Sequence, residues 1–167
     1  KKDTYIINEG GYGLLGSIGA MRILEECDAR NYSHIVAAVG TATTLAGLTR
    51  SALPHQKIIG ISVLKNNFSI GEEVEKLIPN EKKECYSIIH DYHFGGYAKA
   101  NTELFQFMNQ FFDETTIPTD FVYTGKLFYA VEHLIKQNYF PRGANILVIH
   151  SGGLQGNASL PNGKLIF

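Results

Sequence analysis

Short runs of apolar and β-branched residues alternate along the chain with segments of helical period, and this alternation constrains the fold more than any other feature. Five runs predict strands, at residues 4–7, 34–39, 57–63, 86–89 and 144–149. Five segments predict helices, at residues 17–27, 44–53, 72–78, 102–112 and 125–137. Such an alternation is typical of a parallel sheet with crossover helices. The sequence therefore predicts an α/β fold, a three-layer sandwich in which a mostly parallel sheet is flanked by helices.

Composition and charge exclude several classes of function. The 167 residues are 44% hydrophobic and 19% charged, enough for one α/β domain with a core over residues 1–167. The formal net charge is -1 and the basic residues are scattered, so we expect no nucleic-acid partner. No apolar run approaches the roughly 18 residues of a membrane span, so we expect no membrane partner. Cys27 and Cys85 lie outside any CxxC pattern, which favours a reducing, cytoplasmic location.

A run of small and hydroxyl residues joins a predicted strand to a predicted helix at residues 39–47 (VGTATTLAG). Backbone N–H groups point outward at such a helix start, and the helix dipole adds partial positive charge, so a phosphate is the favoured ligand. Thr41, Thr43 and Thr44 could add hydroxyl donors. The loop lacks the Lys of a nucleoside-triphosphate loop, which favours a monophosphate. The alternative is an ordinary Thr-capped helix without a ligand.

A second glycine motif, at residues 11–16 (GYGLLG), matches the GxGxxG pattern of dinucleotide-binding loops. That interpretation also requires an acidic residue at the end of the following strand. Glu25, Glu26 and Asp28 fall at the end of the predicted helix instead. We therefore favour glycines that let the loop pass close to a neighbouring backbone or a ligand.

Two further segments place polar groups where ligands could reach them. Tyr123 stands just before a predicted helix, where its phenol could act as an acid, a base or a hydrogen-bond donor, or could simply pack. Ser151 follows the last predicted strand, in the turn HSGG. The small residues of this turn would let a flat ring approach, and the Ser151 hydroxyl could form a hydrogen bond with a ring nitrogen. A tight glycine turn is the alternative there. His90 and His93 lack a third ligand, so we predict no metal site.

Four segments in a fixed order carry a resemblance that runs essentially from end to end of the chain: GGYGLLGSIGA at 10–20, AAVGTATTLAGL at 37–48, FVYTGKL at 121–127 and ILVIHSGG at 146–153. Together they resemble the C-terminal half of the 1-aminocyclopropane-1-carboxylate deaminase and D-cysteine desulfhydrase family. These are pyridoxal-phosphate (PLP) enzymes with the tryptophan-synthase β-like fold. Because the chain also lacks an initiator Met, we expect it to be the C-terminal, PLP-phosphate-binding part of a longer enzyme.

The resemblance implies a set of PLP-binding and catalytic residues. The cofactor phosphate would be held by one loop, formed by Gly40, Thr41, Ala42, Thr43 and Thr44. Ser151 would lie near the pyridine nitrogen, and Tyr123 would lie against the cofactor or substrate and take part in proton transfer. A Tyr needs its pKa lowered from about 10 to act as a base near neutrality. The family's reactive Lys lies in the other half of the enzyme.

The activity implied by the resemblance is a deaminase or lyase reaction on a small amino acid, releasing ammonia and a 2-oxo acid. The cyclopropane amino acid and D-cysteine stay open as substrates, and relatives are typically homodimers. Because the reactive Lys is absent from this sequence, the main alternative is a non-catalytic α/β module that binds a phosphorylated metabolite or a nucleotide. A purely structural domain is a third interpretation.

Overall fold

A parallel β-sheet forms the centre of the computed structural model, which describes Thr4 and residues 6–167. Within these residues the sheet has four strands: β1 (His34–Val39), β2 (Lys57–Ser62), β3 (Tyr86–Ile89) and β4 (Ile146–Val148). Their order is β3-β2-β1-β4, and each neighbouring pair is parallel. The predicted parallel sheet is confirmed, although β4 is shorter than the predicted 144–149.

Helices cover both faces of the sheet. In the described part of the chain the α-helices are α1 (Leu14–Met21), α2 (Thr43–Ser51), α3 (Ile70–Glu75), α4 (Thr102–Thr115) and α5 (Thr124–Lys136). Short 3₁₀ turns lie at Glu9–Gly11, Arg22–Glu25, Ala29–Asn31, Asn80–Cys85 and Leu154–Ser159. None of the helices among the described residues has the length and apolar character needed to cross a membrane.

The start of the chain differs from the sequence prediction in two ways. The predicted strand at 4–7 does not form at Thr4, Ile6 or Ile7, and Ile6 and Ile7 are 81% and 73% exposed. Tyr5 lies outside the described residues. An apolar run becomes a strand only where a sheet edge pairs with it, and the described part of this run pairs with neither edge strand. The predicted helix at 17–27 begins earlier, at Leu14, and changes to a 3₁₀ turn after Met21.

Alternate side chains of β1 build the two cores of the sandwich. Ile35, Ala37 and Val39 face one side, where α2 and α3 pack. Val36 faces the other side and packs with α5. Because successive side chains of a strand point to opposite faces, a strand with helices on both sides must be apolar throughout. This explains why HIVAAV has no alternating polar pattern.

Helices α1 and α2 cross at Gly47. A Cβ atom added to Gly47 would lie 2.5 Å from the Ala20 Cβ atom and 2.7 Å from the Ser17 carbonyl oxygen. Only a glycine permits this approach. The contact places the glycine-rich loop that precedes α1 beside the start of α2.

Candidate functional site

The sheet order creates a crevice between the carboxyl ends of β1 and β4. The chain runs outward from β1 to β2 and β3, and then returns to β4 on the other side of β1. Ligands of open α/β sheets bind at such a reversal of strand order. A cavity of about 340 Å³ lies there. Six of the seven sequence-predicted residues line it: Gly40, Thr41, Ala42, Thr44, Tyr123 and Ser151.

Thr43, the seventh predicted residue, does not line this cavity. Its side chain is buried, and its Cγ2 atom lies 2.9 Å from the position of a Cβ atom added to Gly16 in α1. Its backbone N–H donates to the Thr41 carbonyl oxygen at 2.9 Å. Thr43 therefore joins the loop to α1 behind the cavity wall.

The start of α2 is open toward the cavity. Ala42 precedes the helix in the left-handed region, with φ 71°, and no side chain of the described residues caps the helix at that position. A non-glycine residue in this region costs free energy, and such residues cluster at ligand sites. Thr41 and Thr44 are half-buried beside it. Hydroxyl groups and a helix N-terminus thus meet at one point, an arrangement that suits a phosphate.

The Tyr123 ring lies against the same loop. A Cβ atom added to Gly40 would lie 3.3 Å from the Tyr123 Cε1 atom and 3.6 Å from its phenol oxygen. Burial, followed by the nearby Tyr97 phenol, raises the pKa of Tyr123 to about 12. Catalysis by a Tyr base would need the opposite shift. The protein surroundings therefore keep Tyr123 a neutral phenol, which can donate a hydrogen bond or a proton.

Asp120 fixes the backbone around Tyr123, and the sequence analysis did not identify it. Its carboxylate is buried and accepts hydrogen bonds from the N–H groups of Val122 and Tyr123, both at 2.8 Å. It also accepts from the Thr124 N–H at 2.9 Å and the Thr124 hydroxyl at 2.7 Å. An Asp just before a helix is a recognisable capping signal. That signal alone indicates a helix start, and the link to Tyr123 needs the structure.

Tyr97 is the second residue that the sequence analysis missed. It belongs to the aromatic loop after β3, and its ring meets the Tyr123 ring edge-on, with 6.1 Å between centroids and 71° between planes. The Tyr97 side chain is exposed. The sequence of this loop, DYHFGGYAK at residues 91–99, is rich in aromatic residues and glycine, but no local pattern in it shows that the loop reaches Tyr123.

A larger cavity of about 650 Å³ lies at the amino ends of the strands, next to the residues that precede β1 and β2. Cys27, Asp28 and Arg30 line it, and Arg30 forms an exposed ion pair with Asp28 at 2.8 Å. None of the predicted site residues lies in it. Parallel sheets bind ligands at their carboxyl ends, so the smaller cavity is the candidate site.

Curated proteins with similar sequences carry two names, 1-aminocyclopropane-1-carboxylate deaminase and D-cysteine desulfhydrase. A protein of Pyrococcus horikoshii, provisionally named 1-aminocyclopropane-1-carboxylate deaminase, is 30% identical over 93% of this chain and 51% of its own length. The crystal structure of an ACC deaminase homologue superposes with a TM-score of 0.80 and 30% identity, over 92% of this chain and 50% of that one. The chain is similar to proteins with these names along 92–93% of its own length. No family model matches the chain.

This similarity confirms the resemblance to the deaminase and desulfhydrase family that the four sequence motifs predicted. The D-cysteine desulfhydrase of Serratia proteamaculans is also related, with 27% identity over 89% of this chain and 50% of its own length. The chain spans about half the length of the curated relatives it matches.

Proposed function

We propose that residues 1–167 form the PLP-phosphate-binding domain of a deaminase or lyase that acts on a small amino acid and releases ammonia and a 2-oxo acid. One observation carries the proposal: a single cavity collects the start of α2, Tyr123 and Ser151, which lie on three separate segments of the sequence. The names of the relatives support the same reaction class.

The residues around the cavity fit a PLP phosphate. The cavity volume of about 340 Å³ is within the range of small-molecule sites. Among the residues that the structure describes, no Lys or Arg lines it. The negative charge of the phosphate would therefore be met by the dipole and N–H groups at the start of α2, which has nine residues. Thr41 and Thr44 would add hydroxyl donors.

PLP, when bound, supplies an electron sink for negative charge that develops beside the substrate amine. The roles of this chain are binding, orientation and proton delivery. We assign the phosphate to the residues of the loop that line the cavity, Gly40, Thr41, Ala42 and Thr44. Ser151 would donate to, or accept from, the pyridine nitrogen. Tyr123, a neutral phenol with a pKa of about 12, would deliver a proton at its oxygen, and Tyr97 stands beside it.

Two substrates are consistent with the relatives. An Arabidopsis thaliana protein that is 29% identical over 93% of this chain is named as both a D-cysteine desulfhydrase and a 1-aminocyclopropane-1-carboxylate deaminase. We therefore extend the proposal to both the cyclopropane amino acid and D-cysteine. The expected cytoplasmic location and homodimer belong to the same proposal. Light scattering on the intact protein tests the dimer.

The test uses the intact protein that carries this chain. We expect the purified protein to show the visible absorption of bound PLP, and the band to shift on addition of D-cysteine or of the cyclopropane amino acid. Ammonia should then appear with pyruvate and sulfide from D-cysteine, or with 2-oxobutanoate from the cyclopropane substrate. A protein that stays colourless after added PLP, and releases no ammonia, would contradict the proposal.

The second candidate is a non-catalytic domain that binds a phosphorylated metabolite or a nucleotide. It is favoured by the fact that no Lys lines the described cavity, whereas PLP catalysis requires a reactive Lys. Binding of PLP or a sugar phosphate without turnover of either amino acid would support this candidate over the first.

A further inference from the structure

Lys126 is completely buried, which is rare for a lysine. Its Nζ atom donates to the carbonyl oxygens of His93 at 2.9 Å and Gly96 at 2.7 Å. An ammonium group is costly to bury unless hydrogen bonds replace its hydration, and an apolar side chain of similar size would avoid that cost. The two carbonyl groups therefore indicate what Lys126 contributes.

Both acceptors lie in a turn with an unusual backbone. Phe94, Gly95 and Gly96 follow one another with φ values of 52°, 98° and 119°. Such conformations persist only when surrounding contacts hold them. Helix α5 provides those contacts: besides the bonds from Lys126, the Phe94 ring packs edge-on against Tyr129, with 4.9 Å between centroids.

The turn leads directly into Tyr97. Gly96 accepts the shorter bond from Lys126, and the next residue places its ring against Tyr123. Tyr123 itself stands at the N-cap position of the same helix, about one turn before Lys126. A single helix end thus carries Tyr123 and holds the turn that brings Tyr97 to it.

We propose that Lys126 is a positioning residue, whose buried ammonium group holds the turn at residues 93–96 so that Tyr97 stands against Tyr123. The inference rests on the proposed function in one respect: it takes the phenols of Tyr97 and Tyr123 as part of the site that binds the amino-acid substrate. The two hydrogen bonds from Lys126 to the turn, called the clamp below, involve only residues of this chain. Lys126 is not among the described residues that line the cavity.

The first test measures amide hydrogen exchange in the intact, cofactor-free protein. Lys126→Met removes the two bonds and keeps an apolar stem of similar length. We expect exchange of residues 91–99 to become at least tenfold faster. Lys82→Met is the matched control, since Lys82 also donates to a backbone carbonyl, that of Ala52, away from the loop. It should leave exchange of residues 91–99 unchanged. Equal protection of the loop in Lys126→Met and wild-type protein would overturn the proposal.

The second test is a double-mutant cycle with Tyr97→Phe on the turnover of the loaded enzyme. If Lys126 acts through Tyr97, each single variant lowers kcat at least fivefold and the double variant is no slower than the slower single variant. Additive losses, or an unchanged kcat in Tyr97→Phe, would overturn the proposal. Absence of any turnover in the wild-type protein would instead count against the proposed function, and the exchange measurement would still decide on the clamp.

If Lys126→Met does not fold, Gly96→Ala replaces it. A Cβ atom at residue 96 would be strained at φ 119° and would lie 3.3 Å from the Lys65 Cβ atom, so the acceptor side of the clamp moves while Lys126 stays. We expect the same faster exchange at residues 91–99 and the same loss of kcat. A protected loop and an unchanged kcat in Gly96→Ala would overturn the proposal.

Discussion

At the residue scale, the surroundings of Tyr123 determine which proton chemistry it can perform. Burial and the Tyr97 phenol raise its pKa to about 12, so it carries its proton throughout the neutral range. A general acid or hydrogen-bond donor fits this state, whereas a base would need a positive neighbour. Among the groups that shift its pKa are the carboxylates of Asp120 and Glu9, which raise it further.

Replacement of Tyr123 tests this role. In the intact protein we expect Tyr123→Phe to lower kcat at least tenfold, because a positioned proton donor contributes roughly 10²–10⁴-fold. Binding of PLP, followed by absorbance, should persist, since the loop at the start of α2 is unaltered. Tyr139→Phe is the control, because Tyr139 is exposed and its ring contacts Phe140. Wild-type turnover in Tyr123→Phe would remove Tyr123 from the mechanism.

Lys126 gives the protein a specific dependence of stability on pH. Burial lowers the pKa of Lys126 from 10.5 to about 8. Between these two values the unfolded chain holds a proton that the folded chain has released, so the free energy of unfolding rises with pH. Below pH 8 Lys126 is protonated in both the folded and the unfolded state, and the folded state bears the whole free-energy cost of burying the ammonium group.

The pH effect is isolated by comparing wild-type protein with Lys126→Met. We expect the stability of the wild-type protein, relative to the variant, to increase by about 2–3 kcal/mol between pH 8 and pH 10.5. Denaturant unfolding at several pH values measures this difference, and other titrating groups cancel. A difference that is constant over this range would contradict the lowered pKa.

At the scale of elements, the start of α5 depends on one carboxylate. Asp120→Asn keeps one acceptor oxygen and replaces the other by an NH₂ group. That NH₂ group would face backbone N–H groups that now donate to the carboxylate. We expect a loss of about 1–3 kcal/mol in unfolding free energy. Turnover should fall as well, because the Tyr123 N–H is one of the donors.

Asp113→Asn is the control for Asp120→Asn, since Asp113 is exposed on α4. Its unfolding free energy should stay within about 0.5 kcal/mol of the wild-type value. Equal stability of the two variants would show that the carboxylate does not hold the start of α5.

The crossing of α1 and α2 predicts opposite effects for two similar substitutions. Gly47→Ala would force a Cβ atom to within 2.5 Å of the Ala20 Cβ atom, so we expect a destabilisation of about 1–3 kcal/mol. Gly19→Ala, in α1, meets no atom within 4 Å and should stabilise the helix by about 0.5–1 kcal/mol. Thermal unfolding of both variants measures the signs. The same sign for both would contradict the described crossing.

Element prediction succeeded where local pattern and final environment agree. The run HIVAAV is apolar throughout because helices cover both of its faces, and the predicted strand has the same bounds as β1. The run at 4–7 has a similar composition, yet its described residues form no strand, since strand formation requires a partner that local sequence does not specify. Helix α1 was predicted too late, because glycines at its start suggested a loop.

At the scale of the whole molecule, strand order decides which segments meet. The order β3-β2-β1-β4 brings the loop after β1 next to the turn after β4, although more than a hundred residues separate them. The sequence indicated each segment separately, through small residues at strand ends. It could not reveal Tyr97, Asp120 or Lys126, because their roles arise from contacts between a loop, a helix start and a buried cation.

The most direct test of the account is the affinity of the intact protein for PLP when a negative charge is placed at the start of α2. Thr44 lines the cavity in the first turn of that helix. The helix dipole stabilises a carboxylate at this position, so Thr44→Asp should fold at least as stably as wild type. The same carboxylate would repel a phosphate. We predict at least a tenfold weaker Kd for PLP in Thr44→Asp, with Thr44→Val much less affected. An unchanged Kd in Thr44→Asp would show that the phosphate does not bind at this helix start.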